Sequence, residues 1–490
     1  MIKKLFKRIF SKPATLGREP AGPAAHLNMG TPKKLKASYG VHKPKVWNVA
    51  EHKIDRHLVS HNAIRVCETL QSKGYKAFVV GGAVRDLLLG MRPKDFDVAT
   101  DASPEQTQRL FRRARVIGRR FQIVHVMFGP ETIETSTFRA LASASNEKDE
   151  HGRVLRDNEF GRQDEDASRR DFTVNAMYYD PSTETVWDYH HGMEDLRARV
   201  LRMIGEPSLR YREDPVRMLR VVRFAAKLNF EIEPATYAPI AELSDLLRNV
   251  PASRLFDEML KLLMSGSAMA CLKGLREAGL HHGVFPLLDA ILEHERGEPF
   301  LTEALARTDK RVKEGKPLSP GFLFACLLWH LVLENWEKKL QQGELKFPAL
   351  FAAMDDVLAE QTERTAIPRR LTGDMREIWA FQPRFEKRAG KAPFRMLEQQ
   401  KFRAALDFYE LRAMVGDVDA DIELAEWWRE FSDGDVNNRQ NMLDALRGTP
   451  AGTDGAAKKK RRRRKPKQGA GTQGTGAASS SNTEQGQHGE

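Results

Sequence analysis

Cysteine is scarce in this 490-residue chain: Cys67, Cys271 and Cys326 are widely spaced and form no C-x-x-C pair. An odd, scattered set excludes both a disulfide framework and a cysteine zinc site, and it suits a reducing cytoplasm. No stretch approaches the roughly eighteen uninterrupted apolar residues of a membrane span. The first residues carry no apolar core followed by a small-residue cleavage site. A cytoplasmic protein is expected, peripheral to the inner membrane surface at most. No fixed repeat period appears either, which argues against a solenoid.

Acidic residues are nearly missing from the two ends. Residues 1–50 are net +10 and residues 451–490 net +6, so residues 51–450 are net −4 although the whole chain is +12. From Ala451 the chain is rich in Gly, Ser, Thr and Gln around K-K-K-R-R-R-R-K-P-K (Lys458 to Lys467). Such a composition cannot bury enough apolar surface to order itself, and a cationic tail is expected. It attracts polyanions by counterion release, with nucleic acid favoured over anionic lipid, a mere solubility tail as the rival reading, and Lys458, Arg461 and Arg464 as candidate phosphate contacts. At the other end, M-I-K-K-L-F-K-R-I-F places Ile2, Leu5, Phe6, Ile9 and Phe10 on one helical stripe. Two readings stand for it: weak contact with a membrane surface, or a disordered leader.

Between the ends the hydrophobic pattern changes once. Residues 61–179 read as mixed helices and strands: a helix over 61–73, a strand over 77–80, a helix over 83–89 and a strand over 96–99. A helix over 107–113, a strand pair over 122–128 and 132–138, a long polar loop over 140–168 and a strand over 173–179 follow. From Glu194 the pattern is helical. The fold class expected is α+β, a mixed α/β head followed by an all-helical neck and body. The predicted organisation is a disordered basic leader (1–50), a catalytic head (51–193), a neck (194–270), a helical body (271–445) and a disordered basic tail (446–490).

The chemistry concentrates in P-K-D-F-D-V-A-T (Pro93 to Thr100). In an extended strand alternate side chains share a face, so Asp95 and Asp97 point the same way. Two carboxylates on one apolar strand repel each other, and a divalent cation such as Mg²⁺ relieves the repulsion. Gly81 and Gly82 lie between a strand and a helix start, where a bare backbone lets a phosphate approach. Arg85 adds a guanidinium one helical step later, and Asp86 suits a structural pairing. Glu134, on the predicted strand 132–138, and Asp171, in R-R-D-F-T-V-N-A (Arg169 to Ala176), compete as the third carboxylate. Metals flanked by such carboxylates suit in-line displacement at phosphorus.

Other features read as structural. His57 and His61 stand at i, i+4 without a third ligand, His190-His191 and His281-His282 suit surface or capping positions, and Trp329, Trp336, Phe408 and Trp427-Trp428 suit a helical core. Arg369 and Arg370, with Arg364, Lys387, Arg388 and Lys391, are candidates for tracking RNA phosphates along the body, with a solvated face as the rival reading.

The series G-G-A-V-R-D-L-L-L-G…D-F-D, then R-R-D-F-T-V-N-A, then E-D-P-V-R-M-L-R-V-V-R-F (Glu213 to Phe224) resembles the class II branch of the nucleotidyltransferase superfamily over about residues 60–265. That branch holds the tRNA CCA-adding enzymes and the bacterial poly(A) polymerases. The run V-I-G-R-R-F-Q-I-V-H (Val116 to His125) is similar to the stretch that marks the polymerases.

The resemblance implies template-independent transfer of AMP from ATP to an RNA 3′-hydroxyl, with pyrophosphate released and two Mg²⁺ ions held by Asp95 and Asp97. It also implies nucleotide contacts from Gly81, Gly82, Arg85, Arg170, Asp214, Arg217 and Arg220, with Asp214 and Arg217 facing the base. At i, i+3 on a helix Asp214 and Arg217 are expected to share one side and to hold each other in place. RNA-decay or RNA-chaperone proteins are candidate partners. Two alternatives stay open: a CCA-adding enzyme, which would use CTP as well as ATP, and a non-catalytic RNA-binding protein, for which degraded carboxylates or glycines would be the signature.

Overall fold

The computed structural model describes residues 43–118, 122–141, 159–280, 298–364, 366–417 and 420–448. The N-terminal stripe, the tail with Lys458, Arg461 and Arg464, and His281-His282 lie outside the described residues. So do most of the polar stretch 140–168 and the middle of the run Val116 to His125. The chain divides into two compact units, residues 1–435 and 436–490. The described part of the second is the helix Val436–Gly448.

Eight described strands form one sheet: β1 Lys45–Trp47, β2 Ala77–Val80, β3 Asp97–Thr100, β4 Ala114–Ile117, β5 Ile123–Phe128, β6 Glu131–Thr137, β7 Met177–Asp180 and β8 Thr185–Asp188. Their spatial order is β1-β8-β7-β2-β3-β6-β5-β4. Neighbours run antiparallel except β3 and β6, which are parallel. A parallel pair needs a crossover connection. Here the crossover carries the helix Pro104–Leu110, strand β4 and the hairpin arm β5 before β6 returns beside β3.

Alternation along the strands separates the two faces. Ile133, Thr135, Val124 and Val126 are buried on the side covered by the helices His61–Gln71 and Pro104–Leu110. On the opposite side Phe78, Val80, Ala99, Phe138 and Tyr178 form a smaller cluster with Ala167 of the helix Gln163–Ser168. That helix corrects the reading of 140–168 as loop throughout. Its polar residues make it hard to recognise, yet Asp166 is buried and accepts hydrogen bonds from the Tyr178 hydroxyl (2.6 Å) and Arg170 (3.1 Å).

Other boundaries also shift. Strand β1 lies inside the segment read as leader, because Lys45 to Trp47 pair with Asp188 to Val186 of β8. The strand expected over 173–179 is a 3-10 turn, Thr173–Asn175, followed by β7. His57 belongs to a 3-10 turn, Arg56–Leu58, and His61 opens the next helix after the N-cap Ser60, so the two do not share a helix face.

Beyond the sheet the first unit is helical. The helix Val216–Leu228 buries Val216, Met218, Leu219, Val221, Val222 and Phe224. Each such side chain contributes about 1.5–3 kcal/mol on burial. Of the aromatics read as core, Trp329, Trp336, Phe408 and Trp428 are buried and Trp427 is only partly so, and the Trp428 indole donates to the Phe385 carbonyl at 2.7 Å.

Candidate active site

Strand register assembles the site. Val80 pairs with Asp97, and the chain leaves β2 at Gly81, so the glycine pair emerges beside the aspartates. On the other flank Glu134 of β6 is level with Asp97. Asp95 precedes β3 rather than lying within it, but exposed Asp95, buried Phe96 and exposed Asp97 keep the extended alternation. Although the Asp97 side chain reaches solvent, the protein packed around it desolvates its charge; that, and then the neighbouring Glu134 carboxylate, push Asp97 up to about 6, while Arg170 opposes the rise and Asp95 adds to it. This crowding of carboxylates fits a divalent cation, whose charge would reverse the penalty. Among the described residues no three His, Cys, Asp or Glu side chains form a complete ligating group, so an ion here would take further ligands from phosphate oxygens.

Gly81 has φ +74° and ψ −136°, a backbone shape that other residues adopt only under strain. A Cβ there would stand 3.3 Å from Nη1 of Arg170. Gly81→Ala is expected to cost about 1–3 kcal/mol, read as a lower thermal unfolding midpoint. An unchanged midpoint would show that the turn tolerates a side chain.

Two arginines flank this turn. Arg85 is buried, donates to Asn175 Oδ1 (2.6 Å) and to Asp86 Oδ1 (2.8 and 2.6 Å), and so confirms a structural pairing for Asp86. Arg170 is held by Asp166 (3.1 Å) and the Tyr178 hydroxyl (3.2 Å), and these groups keep it firmly protonated against the opposing effect of burial. Asp171 lines the same cavity as the aspartates and is held there by other partners. Arg220 donates to its Oδ2 through Nε (2.9 Å) and Nη2 (2.5 Å), and Asn175 donates to Oδ1 at 3.2 Å. Burial opposes its ionisation, but the Arg220 guanidinium outweighs it and holds Asp171 down to about 2.

The helix expected to carry Asp214 begins two residues later. Pro215 disfavours helical backbone in the residue before it, and Asp214 sits at φ −149°, ψ 94° between the helices Pro207–Glu213 and Val216–Leu228. The side chains of Asp214 and Arg217 therefore do not pair, although the Arg217 amide donates to the Asp214 carbonyl at 3.0 Å. Asp214 Oδ2 accepts from Arg254 at 3.0 Å, whereas Arg217 donates to the Arg210 carbonyl (2.7 Å) and to Glu213 (3.1 Å). Asp214 Oδ1 is buried and has no hydrogen-bond partner, so the carboxylate keeps one unused acceptor.

All these groups line one cavity of about 750 Å³. Gly81, Gly82, Arg85, Asp95, Asp97, Arg170, Asp171, Asp214, Arg217 and Arg220 are in its wall, and Glu134 adjoins it through Asp97. Eight basic and five acidic side chains give the wall a cationic excess suited to an anion. Sequence reasoning missed Arg92, Lys94, Asn175, Arg223, Phe224, Lys227 and Arg254. A signal for some of them was present: Arg217, Arg220, Arg223 and Lys227 recur at helical spacing along one stripe of Val216–Leu228. The guanidiniums of Arg85, Arg220 and Arg223 gather within 5.3 Å of the Phe224 ring. Arg369 and Arg370 lie apart from this wall, exposed at the start of the helix Arg369–Phe381.

Comparison with known proteins gives three family matches along the chain. Residues 77–202 match a model described as the poly A polymerase head domain, residues 229–292 a probable RNA and SrmB-binding site of polymerase A, and residues 342–468 a polymerase A arginine-rich C-terminus. The chain is 46% identical over 412 residues to poly(A) polymerase I of Salmonella typhi, covering 82% of this chain and 88% of that protein. It is 45% identical over 394 residues to poly(A) polymerase I of Haemophilus influenzae, covering 78% and 87%. A CCA-adding enzyme of Streptococcus pneumoniae is 40% identical over 206 residues, covering 41% of this chain and 50% of that one. Among solved structures, the CCA-adding enzyme of Bacillus stearothermophilus in complex with CTP superposes with a TM-score of 0.53 at 26% identity, over 80% of this chain and 88% of that one.

Proposed function

Because the chain belongs to the poly(A) polymerase I family, we propose that it adds adenylate from ATP to RNA 3′ ends without a template. The observation that carries this reading over tRNA repair is extent. Similarity to poly(A) polymerase I runs through 82% of the chain, whereas the CCA-adding sequence matches only 41%.

In the reaction the RNA 3′-hydroxyl oxygen forms a bond to the α-phosphorus of ATP, the bond to the β-phosphate oxygen breaks, and pyrophosphate leaves. Asp95 and Asp97 are proposed to hold two Mg²⁺ ions, which when bound lower the pKa of the hydroxyl and neutralise charge on the leaving group. Glu134, level with Asp97, is the third carboxylate proposed here; Asp171 acts instead by fixing Arg220. The glycine turn admits the triphosphate, and Arg85, Arg170 and Arg220 supply charge around it. Asp214, which lines the cavity, is proposed to accept from the amino group of the base, with Arg217 beside it. Because both adenine and cytosine carry such an amino group, selectivity must also come from the shape of the wall.

The test is extension of a generic RNA in ATP alone and in CTP alone. Long tails in ATP and little incorporation in CTP are expected, whereas CTP incorporation followed by a halt would favour tRNA repair. Asp214→Ala should raise the KM for ATP about tenfold and narrow the ATP/CTP preference. Arg369, Arg370 and the tail residues Lys458, Arg461 and Arg464 are proposed as outlying RNA phosphate contacts. RNA-decay or RNA-chaperone proteins are proposed partners. Among the described residues no helix is long and apolar enough to cross a membrane. A weak membrane contact through the N-terminal stripe remains a proposal resting on its sequence pattern.

A further inference from the structure

The run Val116 to His125 marked the subfamily in the sequence, but the chemistry above gives it no task. Register shows where its described residues lie. Asp97 of β3 pairs with Glu134 of β6, Glu134 with His125 of β5, and His125 with Arg115 of β4. The four residues thus form one row across four adjacent strands, on one face of the sheet. At about 4.8 Å per strand the row spans roughly 14 Å. It is exposed along its length: Glu134 is 54% and His125 28% accessible, and Arg115 lies on the surface. Arg113, exposed in the turn just before β4, holds the Met127 amide through its carbonyl and stands two residues from Arg115. Among the described residues neither Arg113 nor Arg115 has an ion-pair partner, whereas His125 Nε2 stands 3.4 Å from Glu134 Oε1.

The row is polarised. It begins at the carboxylates where chemistry is proposed and ends on two cations at the sheet edge. A polyanion laid along it would keep its phosphates over β4 and its free hydroxyl end toward Asp97. We propose that this face, from Asp97 across Glu134 and His125 to Arg115, is the track on which the last nucleotides of the acceptor RNA lie. Stacked nucleotides are spaced about 3.4 Å apart, so the row accommodates more than one of them. Arg113 and Arg115 contact phosphate, and the half-exposed His125 ring offers a stacking surface indifferent to base identity. Sequence-independent contacts of this kind suit an enzyme that extends many RNAs. The inference rests on the polymerase reading and adds the path of its acceptor.

The test measures steady-state extension by the full chain with a generic RNA primer. For R113S/R115S the RNA KM is expected to rise about tenfold, with kcat at saturating RNA and the KM for ATP within twofold of wild type. The salt dependence of the RNA KM should flatten by about 0.7 logarithmic units per lost contact. R113K/R115K, which keeps the charge, should recover most of the affinity. H125A should raise the RNA KM severalfold, and H125F should restore it through stacking. An unchanged RNA KM and salt slope in R113S/R115S, or an H125F no better than H125A, would overturn the track. A wild type that incorporates CTP and halts would sink the adenylate reading instead. The track is still decided in that case, because the RNA KM can be read with either nucleotide.

Discussion

Asp97→Asn is expected to lower the rate of adenylate addition by about a thousandfold or more, equivalent to ~4 kcal/mol of transition-state stabilisation. RNA affinity should stay within about threefold of wild type, because the proposed phosphate contacts lie elsewhere and are counted in cations rather than in this carboxylate. The substitution keeps the shape and removes the charge. Its effect on the fold runs opposite to its effect on catalysis. Asp97 is raised toward neutrality by desolvation and by Glu134, so at pH 7, with divalent cations chelated, its charge opposes folding. Asp97→Asn should therefore unfold no earlier than wild type in chelator, which separates lost chemistry from lost structure. Extension at more than a tenth of the wild-type rate would remove Asp97 from the metal site.

Asp171→Asn should cost about 3 kcal/mol of stability at pH 7, because it breaks a largely buried pair and leaves the Arg220 guanidinium with only its longer contact to Glu258 at 3.8 Å. Asp171 is 11% accessible and Arg220 30%, so solvent replaces little of the lost interaction. The pH dependence has a defined sign. A carboxyl held down to about 2 from an ordinary 3.8 binds fewer protons folded than unfolded. Its contribution is complete above about pH 4 and is lost as the pH falls through 2. Urea titrations should show the gap between wild type and Asp171→Asn narrowing across that window. Activity should fall as well, since Asn175 links Asp171 to Arg85 and both arginines line the cavity. A variant as stable as wild type at pH 7 would show that this pair does not tie the neck helix to the head.

Most of the proposed catalytic centre was legible because its residues are local and chemically unusual. A glycine pair after an apolar strand, D-x-D at the next strand and a basic helical stripe each carry their reason in a few adjacent letters. Strand 77–80 was bounded by burial on every residue and could be read directly. Edge strands were not legible in the same way. Ala114 to Ile117 is short and interrupted by arginine, and β1 becomes a strand only by pairing with β8, about 140 residues further along the chain. Helix Gln163–Ser168 looks polar because its side chains satisfy buried partners rather than water. Asp214 is a different case. The proline after it argued against a helix, yet periodicity was extended through it, and its partner Arg254 stands forty residues away. Glu134 and Asp171 could not be ranked from the sequence because the ranking depends on strand register and on which carboxylate meets Arg220.

The parallel pairing of β3 with β6 has an evolutionary consequence. Two neighbouring carboxylates are 37 positions apart in the chain, and everything from Asp101 to Pro130 is an excursion that leaves the catalytic strands and returns to them. Lineages can rewrite that excursion without retuning the reaction, so a shared transferase head can be inherited intact while its choice of acceptor drifts.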